Sequence, residues 1–265
     1  MAKLKLDKYF TSKTLAEYCV SKTLEVVGKD NILEFIESSA GQGSFIDAIE
    51  ELTSNIPYKA YDIEPEDTRI TRQDYLQLNL PYNKTSVVIG NPPFGKANST
   101  LKRFYKKSVE IAEHIAWILP ISQLNNNNEL FDYDLVHSED LGKREYSGRI
   151  IHCCFNVYSR NKNGLNSKPK YKFSDIEIVG WRKCKDVKCD LYICCYGSQT
   201  GKIVDVDCGL VNLNGIIIKN ESLRDKIMEV LTTTDWFSIY PKTNPKNLLQ
   251  WQIYKVLVER IIELR

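Results

Sequence analysis

The chain has only three histidines in 265 residues, His114, His137 and His152, so histidine-based metal centres and Ser-His-Asp chemistry are poorly supplied. It also has no long apolar run. The stretch 115–119 is typical of its longest and falls far short of the ~18–20 residues that span a bilayer, so no membrane role is expected. The N-terminus alternates Lys3, Lys5, Asp7 and Lys8 with single apolar residues and lacks the core of a secretory signal. An intracellular location is expected. Among eight cysteines there is no C-x-x-C, and Cys153-Cys154 and Cys194-Cys195 are adjacent pairs, which argues against a disulfide framework and against zinc. Cys184, Cys189 and Cys194 recur at five-residue intervals, yet a zinc ion would need Cys208 or His152 as a fourth ligand. The expected role of these thiols is that of small buried hydrophobes, with no metal.

What is present is an ordinary globular composition, 43% hydrophobic and 26% charged, which excludes disordered, collagen-like and coiled-coil chains. The net charge of +2 hides an asymmetry. Residues 1–139 hold 15 Lys and Arg against 20 Asp and Glu, whereas residues 140–265 hold 21 against 14. A basic half beside an acidic half suits a polyanion on one face; lysines solvated for solubility are the competing account.

Leu15, Cys19, Val20, Leu24 and Val27 stand at helical spacing ahead of Gly28, which predicts a helix over 15–27. A short apolar run at 31–36 predicts a strand, the small residues 38–43 a turn, and 44–52 a second helix. Strand, glycine turn and helix open a parallel α/β unit. The pattern continues with strands at 58–63, 71–75, 86–89 and 115–119 and a helix at 101–113. A doubly wound sheet follows, with its loops gathered at the carboxyl ends of the strands. Past the polar stretch 125–129, β-like runs at 150–158, 176–181, 191–196, 203–206 and 216–218 precede helices at 222–232 and 248–264. The first of these strands are expected to complete the sheet. The expected fold is therefore α/β, a doubly wound Rossmann-like sheet over 1–180 with a smaller C-terminal α+β region over 181–265.

The glycine turn Gly41-Gln42-Gly43 is not a Walker A loop, because Ser44-Phe45 follows where Lys-Ser/Thr is needed. Nor is it a dinucleotide fingerprint, because Ile46 stands at the third glycine position. It has instead an acidic residue at the preceding strand end, Glu37, and glycines that let backbone approach a ligand. About twenty residues further on, Asp62 ends the second strand, where a carboxylate can accept from ribose hydroxyls, with Ile63 beside it to pack on a ring. Asp74-Tyr75 closes the third strand and can accept from an exocyclic amine. A solvated acidic loop is the plain alternative for each of these alone. The sharpest pattern is Asn91-Pro92-Pro93-Phe94 directly after a buried strand. Two prolines stiffen the loop and remove backbone donors. The Asn91 side-chain oxygen and the Pro92 carbonyl then offer two acceptors to one NH₂ group, and Phe94 offers a flat face to the ring that carries it.

Together, Glu37-Ser38-Ser39-Ala40-Gly41-Gln42-Gly43-Ser44-Phe45 and Asn91-Pro92-Pro93-Phe94 resemble the S-adenosylmethionine-dependent amino-methyltransferases, most closely the adenine-N6 DNA methyltransferases. Lys8-Tyr9-Phe10-Thr11-Ser12 is similar to their cofactor-contacting "FYTP" segment, and residues 115–120 to the strand and proline that follow the catalytic loop. The resemblance covers roughly residues 8–160. It implies a Rossmann-like methyltransferase fold with C-terminal target recognition, and S-adenosylmethionine as cofactor. It further implies that Thr11, Glu37, Gly41 and Gly43 surround the cofactor's methionine part, with Phe10 and Ala40 also binding the cofactor. Asp62 and Ile63 would hold the ribose and adenine, with Asp74 at the adenine amine and Tyr75 near its ring. Ser38 and Ser12 depart from the family by replacing prolines.

Adenine N6 is a weak nucleophile because its lone pair is delocalised. Accepting both of its hydrogens favours the pyramidal nitrogen of the transition state, so direct in-line methyl transfer needs no strong base. A base inside a duplex must first be flipped out. Phe94 would stack on one face of it and Phe155 on the other, while Lys102 and Arg103 in the run 102–107, and Arg160, Lys162, Lys168, Lys170 and Lys172, suit phosphates. DNA is the expected partner, with RNA open, and a partner subunit or restriction nuclease left open as associates. Two other readings stand beside this one: methylation of a protein glutamine amide or RNA adenine, and a catalytically silent nucleic-acid-binding partner.

Overall fold

The computed structural model describes residues 10–53, 55–146, 149–170, 173–209, 212–240 and 248–264. Lys3, Lys5, Asp7, Lys8 and Tyr9 of the N-terminal segment, and Lys172, lie outside the described residues. The chain forms two units, Met1–Lys168 and Pro169–Arg265.

The first unit begins with helix α1 (Lys13–Val27), whose N-cap is Ser12 and which stops at Gly28. Ser12 accepts a hydrogen bond from the Leu15 amide at 3.4 Å, a side-chain cap on the first turn. Strand β1 (Glu34–Glu37) leads through the glycine turn into α2 (Ser44–Thr53). Strands β2 (Tyr58–Asp62), β3 (Thr71–Arg72) and β4 (Asn83–Gly90) follow, then α3 (Ser99–Ile111) and β5 (Ala112–Pro120). A hairpin of β6 (Asp134–Tyr146) and β7 (Arg149–Ser159) completes a seven-stranded sheet of order β3-β2-β1-β4-β5-β7-β6. Strands β1 to β5 are mutually parallel and β7 runs antiparallel to β5. This is the expected doubly wound, Rossmann-like sheet.

The central strands read as continuous apolar runs because both faces are covered. Phe35, Val87, Ile89, Ala116, Ile118 and Phe155 pack with α1 and α2 on one face. Ile36, Val88, Ile115, Trp117, Leu119 and Tyr158 pack with α3 on the other.

The second unit is a four-stranded antiparallel sheet, order β10-β9-β11-β8, built from β8 (Ile176–Val179), β9 (Leu191–Cys194), β10 (Ile203–Val204) and β11 (Leu213–Ile218). Helices α4 (Arg224–Thr233), α5 (Trp236–Ile239) and α6 (Gln250–Arg260) complete it. Ile178, Ile193 and Ile216 of its strands share a core with Ile227, Leu231, Ile253 and Leu257 of its helices. The run at 176–181 was expected in the first sheet and the boundary near 180. The boundary falls instead at 168/169, because β8 pairs with β11, residue Ile178 opposite Ile216. Among the described residues no helix is long and apolar enough to cross a membrane.

Candidate functional site

Strand order decides where the site forms. From β1 the chain moves outward to β2 and β3, then crosses back to place β4 on the other side of β1. The carboxyl ends of β1 and β4 thus flank the switch point of the sheet, where loops diverge and leave a crevice. Glu37 pairs in register with Ile89, so the glycine turn after β1 and the prolyl turn after β4 start side by side.

The glycine turn needs left-handed backbone at Gly41 (φ 55°) and Gly43 (φ 84°). A β-carbon on Gly41 would meet the Phe10 ring at 3.6 Å; on Gly43 it would meet Asp67 Oδ2 at 3.1 Å and Arg69 Nη2 at 3.2 Å. The turn is held from outside by Asp62, whose Oδ2 accepts the Gly41 amide at 2.9 Å while Oδ1 accepts from Glu64 N–H at 2.8 Å. Arg69 braces it from below through Asp67, Asp47 and Glu50, at 2.6, 2.6 and 2.9 Å. This clamp was hidden in what reads as a plain acidic loop.

The prolyl turn is tied to the glycine turn and to the N-terminal segment. Ser39 Oγ donates to the Asn91 carbonyl at 3.1 Å, and Asn91 Nδ2 donates to Thr11 Oγ1 at 3.4 Å. Ser44 Oγ donates to the Thr11 carbonyl at 2.8 Å. These bonds gather residues 80 and 52 positions apart in the chain around one open cleft. Phe10, Thr11, Glu37, Ala40, Gly41 and Asn91 line it, together with Ser39, Gln42, Ser44 and Phe45, which the sequence reading did not single out. Their signal was position alone, beside the glycines.

Glu37 is the unusual group in the cleft. Only 2% of it is exposed, and Oε2 has no hydrogen-bond partner among the described residues. Burial, reinforced by the charges of Asp62 and Asp47, pushes its carboxyl well above the ordinary range. Next to it, Ser38 is equally buried and its hydroxyl is likewise unpartnered.

Other expected site residues lie elsewhere. Ile63 is 45% exposed beside Asp62. Asp74 Oδ1 accepts the Leu76 amide at 3.0 Å, capping a short 3-10 turn. Tyr75 is in the core, stacked on Phe104 with its hydroxyl 2.7 Å from Ser108 Oγ, because α3 lies over it. Phe155 is fully buried under α1 and α2, opposite Ile118 of β5, and presents no face to a base. Pro92 is buried, while Pro93 and Phe94 are half-buried. In the basic run, Lys102 pairs with Glu129 at 3.0 Å, Lys106 with Asp132 at 2.7 Å and Lys107 with Glu110 at 3.0 Å; Arg103 alone of them is exposed without an ion pair among the described residues.

Glu129 is a further feature that the sequence reading passed over. It follows β5, yet its carboxylate accepts from Lys102, from Gln123 Nε2 at 2.9 Å and from Asn98 Nδ2 at 3.3 Å, joining the loops after β4 and β5. Among the described residues, the three non-glycine residues with positive φ, Ala97, Asn98 and Asn125, all lie in these two loops.

In the second unit, Cys184 and Cys194 sit in an apolar cluster with Val179 and Leu213. Among the described residues no three His, Cys, Asp or Glu side chains converge as a metal site.

No family model and no curated protein matches the sequence. Among solved structures, the chain is similar to a Pyrococcus horikoshii protein provisionally described as an RNA methyltransferase, at 16% identity over 60% of this chain and 89% of that one, with a TM-score of 0.46. It is similar to a Listeria monocytogenes protein provisionally described as a class I S-adenosylmethionine-dependent methyltransferase, at 10% identity over 64% of each chain and a TM-score of 0.46. It is also similar to the 23S rRNA methyltransferase ErmE, at 13% identity over 61% of this chain and 72% of that one, with a TM-score of 0.43.

Proposed function

We propose that the chain is an S-adenosylmethionine-dependent methyltransferase acting on the exocyclic N6 of adenine in DNA. The observation that carries the reading is the meeting, at one switch-point cleft, of Asn91 from the prolyl turn with Glu37, Gly41 and Thr11. A buried carboxylate oxygen without a partner calls for a cation, and the ammonium of a methionine moiety complements it. Gly41 keeps clear the space that a β-carbon would take, 3.6 Å from the Phe10 ring. Thr11, Glu37 and Gly41 would hold the methionine part, with Asp62 toward the ribose. When bound, the cofactor supplies an electrophilic methyl group on a sulfonium.

The chain's own contribution is to prepare the acceptor nitrogen. Donation from Asn91 Nδ2 to Thr11 Oγ1 supports a reading in which Oδ1 is the end that accepts from the amine. Ser39 donates to the Asn91 backbone carbonyl, and the next carbonyl, that of Pro92, would be the second acceptor. Two rigid acceptors draw electron density onto an amine and hold it pyramidal, an effect greatest at the transition state.

Incubation with labelled cofactor and duplex DNA, followed by digestion to nucleosides, should place the label in N6-methyldeoxyadenosine. Label found only in RNA or protein offered in parallel, or in none of them, overturns the reading. Asn91→Ala should lower kcat by roughly 10²–10³-fold, about 2.7–4 kcal/mol, in the same assay.

A further inference from the structure

In the second unit, the chain between β8 and β9 makes a run of tight turns over residues 181–187. The Gly180 carbonyl accepts from the amides of Lys183 at 2.8 Å and Cys184 at 3.1 Å, and the Lys183 carbonyl accepts from Asp186 N–H at 3.0 Å. This segment is pinned to the sheet. Cys184 is fully buried, and its thiol donates to the Leu213 carbonyl at 3.2 Å. A β-carbon on Gly215 would lie 2.3 Å from Cys189 Sγ and 3.1 Å from Cys184 Cβ, so the bare backbone of β11 is what admits the turn. The turn therefore covers the sheet face opposite the helices, since Ile216 and Ile218 point into the helical core and Leu213 and Gly215 alternate with them.

Pinned on its inner side, the turn presents Trp181, 50% exposed, with the Arg182 guanidinium 5.2 Å over its ring. Lys183, Lys185 and Lys188 are exposed around it, against Asp186 within the turn and Asp190 just past it, whose carboxylate feels the charge of Lys188. None of the four cations makes an ion pair among the described residues; of the other cations of this unit, Lys219, Arg224, Lys226 and Lys255 are each paired with a carboxylate, while Lys170, Lys202 and Arg260 stand singly along the chain without one. Cations without an ion pair around a half-exposed indole, which Arg182 itself overlies, suit a nucleic acid with an unstacked base, the phosphates meeting the charges and the base meeting the exposed part of the indole. We infer that the turn 181–188 is a nucleic-acid contact surface. The inference rests on the proposed reading that the substrate is DNA, and assigns part of its binding to these residues.

The test is fluorescence anisotropy of labelled duplex DNA, of single-stranded DNA and of single-stranded RNA of matching sequence, titrated with the full chain at several salt concentrations. The variant Arg182→Ala/Lys183→Ala/Lys185→Ala should bind DNA more weakly and make the log affinity against log salt slope shallower by about 2–3, at ~0.9 per phosphate contact. Trp181→Ala should weaken binding of single-stranded DNA roughly tenfold, with Trp181→Phe restoring most of it because the stacking face is kept. Lys29→Ala/Lys84→Ala/Lys143→Ala removes equal charge from exposed sites of the first unit and should leave the slope near that of the parent. Circular dichroism checks that each variant is folded. If the parent binds and methylates DNA but the variants of the turn keep its affinity and slope, the inference falls alone. If RNA is bound as well as DNA and is weakened equally by the variants, assignment to DNA is overturned. A parent that binds neither nucleic acid overturns both this inference and the proposed function.

Discussion

Glu37 is a side chain whose position costs the unliganded protein stability. Its native pKa lies well above the ordinary 4.5, chiefly through burial. The folded chain then holds this proton more tightly than the unfolded one. The resulting stability is complete below the unfolded value and is lost as pH rises through the native value. Glu37→Gln should accordingly flatten that part of the pH profile and, without ligand, raise stability at neutral pH by about 1–3 kcal/mol, while weakening cofactor binding. Thermal melts from pH 4 to 8, with and without S-adenosylmethionine, check both; a variant less stable than the parent at pH 8 counts against an uncompensated charge. Gly43→Ala should destabilise by about 1–2 kcal/mol in urea unfolding, since it combines left-handed backbone with a methyl placed 3.1 Å from Asp67 Oδ2. Glu37 and Asn91 were legible in the sequence because each ends a strand beside an unusual turn. Tyr75 was not, because a residue next to a strand end faces cleft or core according to the helix packed over it, here α3 through Phe104 and Ser108.

Among the elements, the apolar parallel strands were readable and β6 was not. Its sequence, DLVHSEDLGKREY, alternates little and carries charges of both signs. It is a strand because β7 offers a full edge to pair with, and it accommodates register shifts at 135/137 and 140/142 on the way. Glu129 acts at this scale by joining two loops. Burial works against its ionisation, but hydrogen bonds from Lys102, Asn98 and Gln123 outweigh that and hold the carboxyl below its ordinary value. Its stabilising contribution is present above the unfolded value of 4.5 and is lost as pH falls through the lowered native value. Glu129→Gln should lessen acid destabilisation below about pH 4.5 relative to the parent, and cost about 1–2 kcal/mol at pH 7, because a charged acceptor of three donors becomes a neutral one. Urea titrations at pH 7 and pH 3.5 read out both changes; equal losses at the two pH values would mean that the charge is immaterial.

For the whole molecule, the eight cysteines report on how the chain is enclosed. Six are buried, Cys189 is intermediate and Cys208 is exposed. Burial pushes the Cys19 and Cys154 thiols well up, and that of Cys195 to about 12. Iodoacetamide at pH 8 should therefore modify Cys208 first in the native protein and all eight thiols only in denaturant, as followed by intact mass. Protection of Cys184, Cys189 and Cys194 that a chelator abolishes would instead reveal a bound metal.

The parallel α/β order, the glycine turn, the prolyl turn and the acidic strand ends were determined by the sequence itself, because apolar periodicity, glycine and proline act on backbone within a few residues. Tertiary structure alone decided the rest. The division at 168/169, the charged strand β6, the loss of Tyr75 and Phe155 to the core, and the Arg69 and Glu129 ties all depend on partners far away in the chain. The cleft itself belongs to that second class. Its parts could be read one by one, but they meet only because the strand order reverses between β1 and β4 and brings Ser39 to the carbonyl of Asn91.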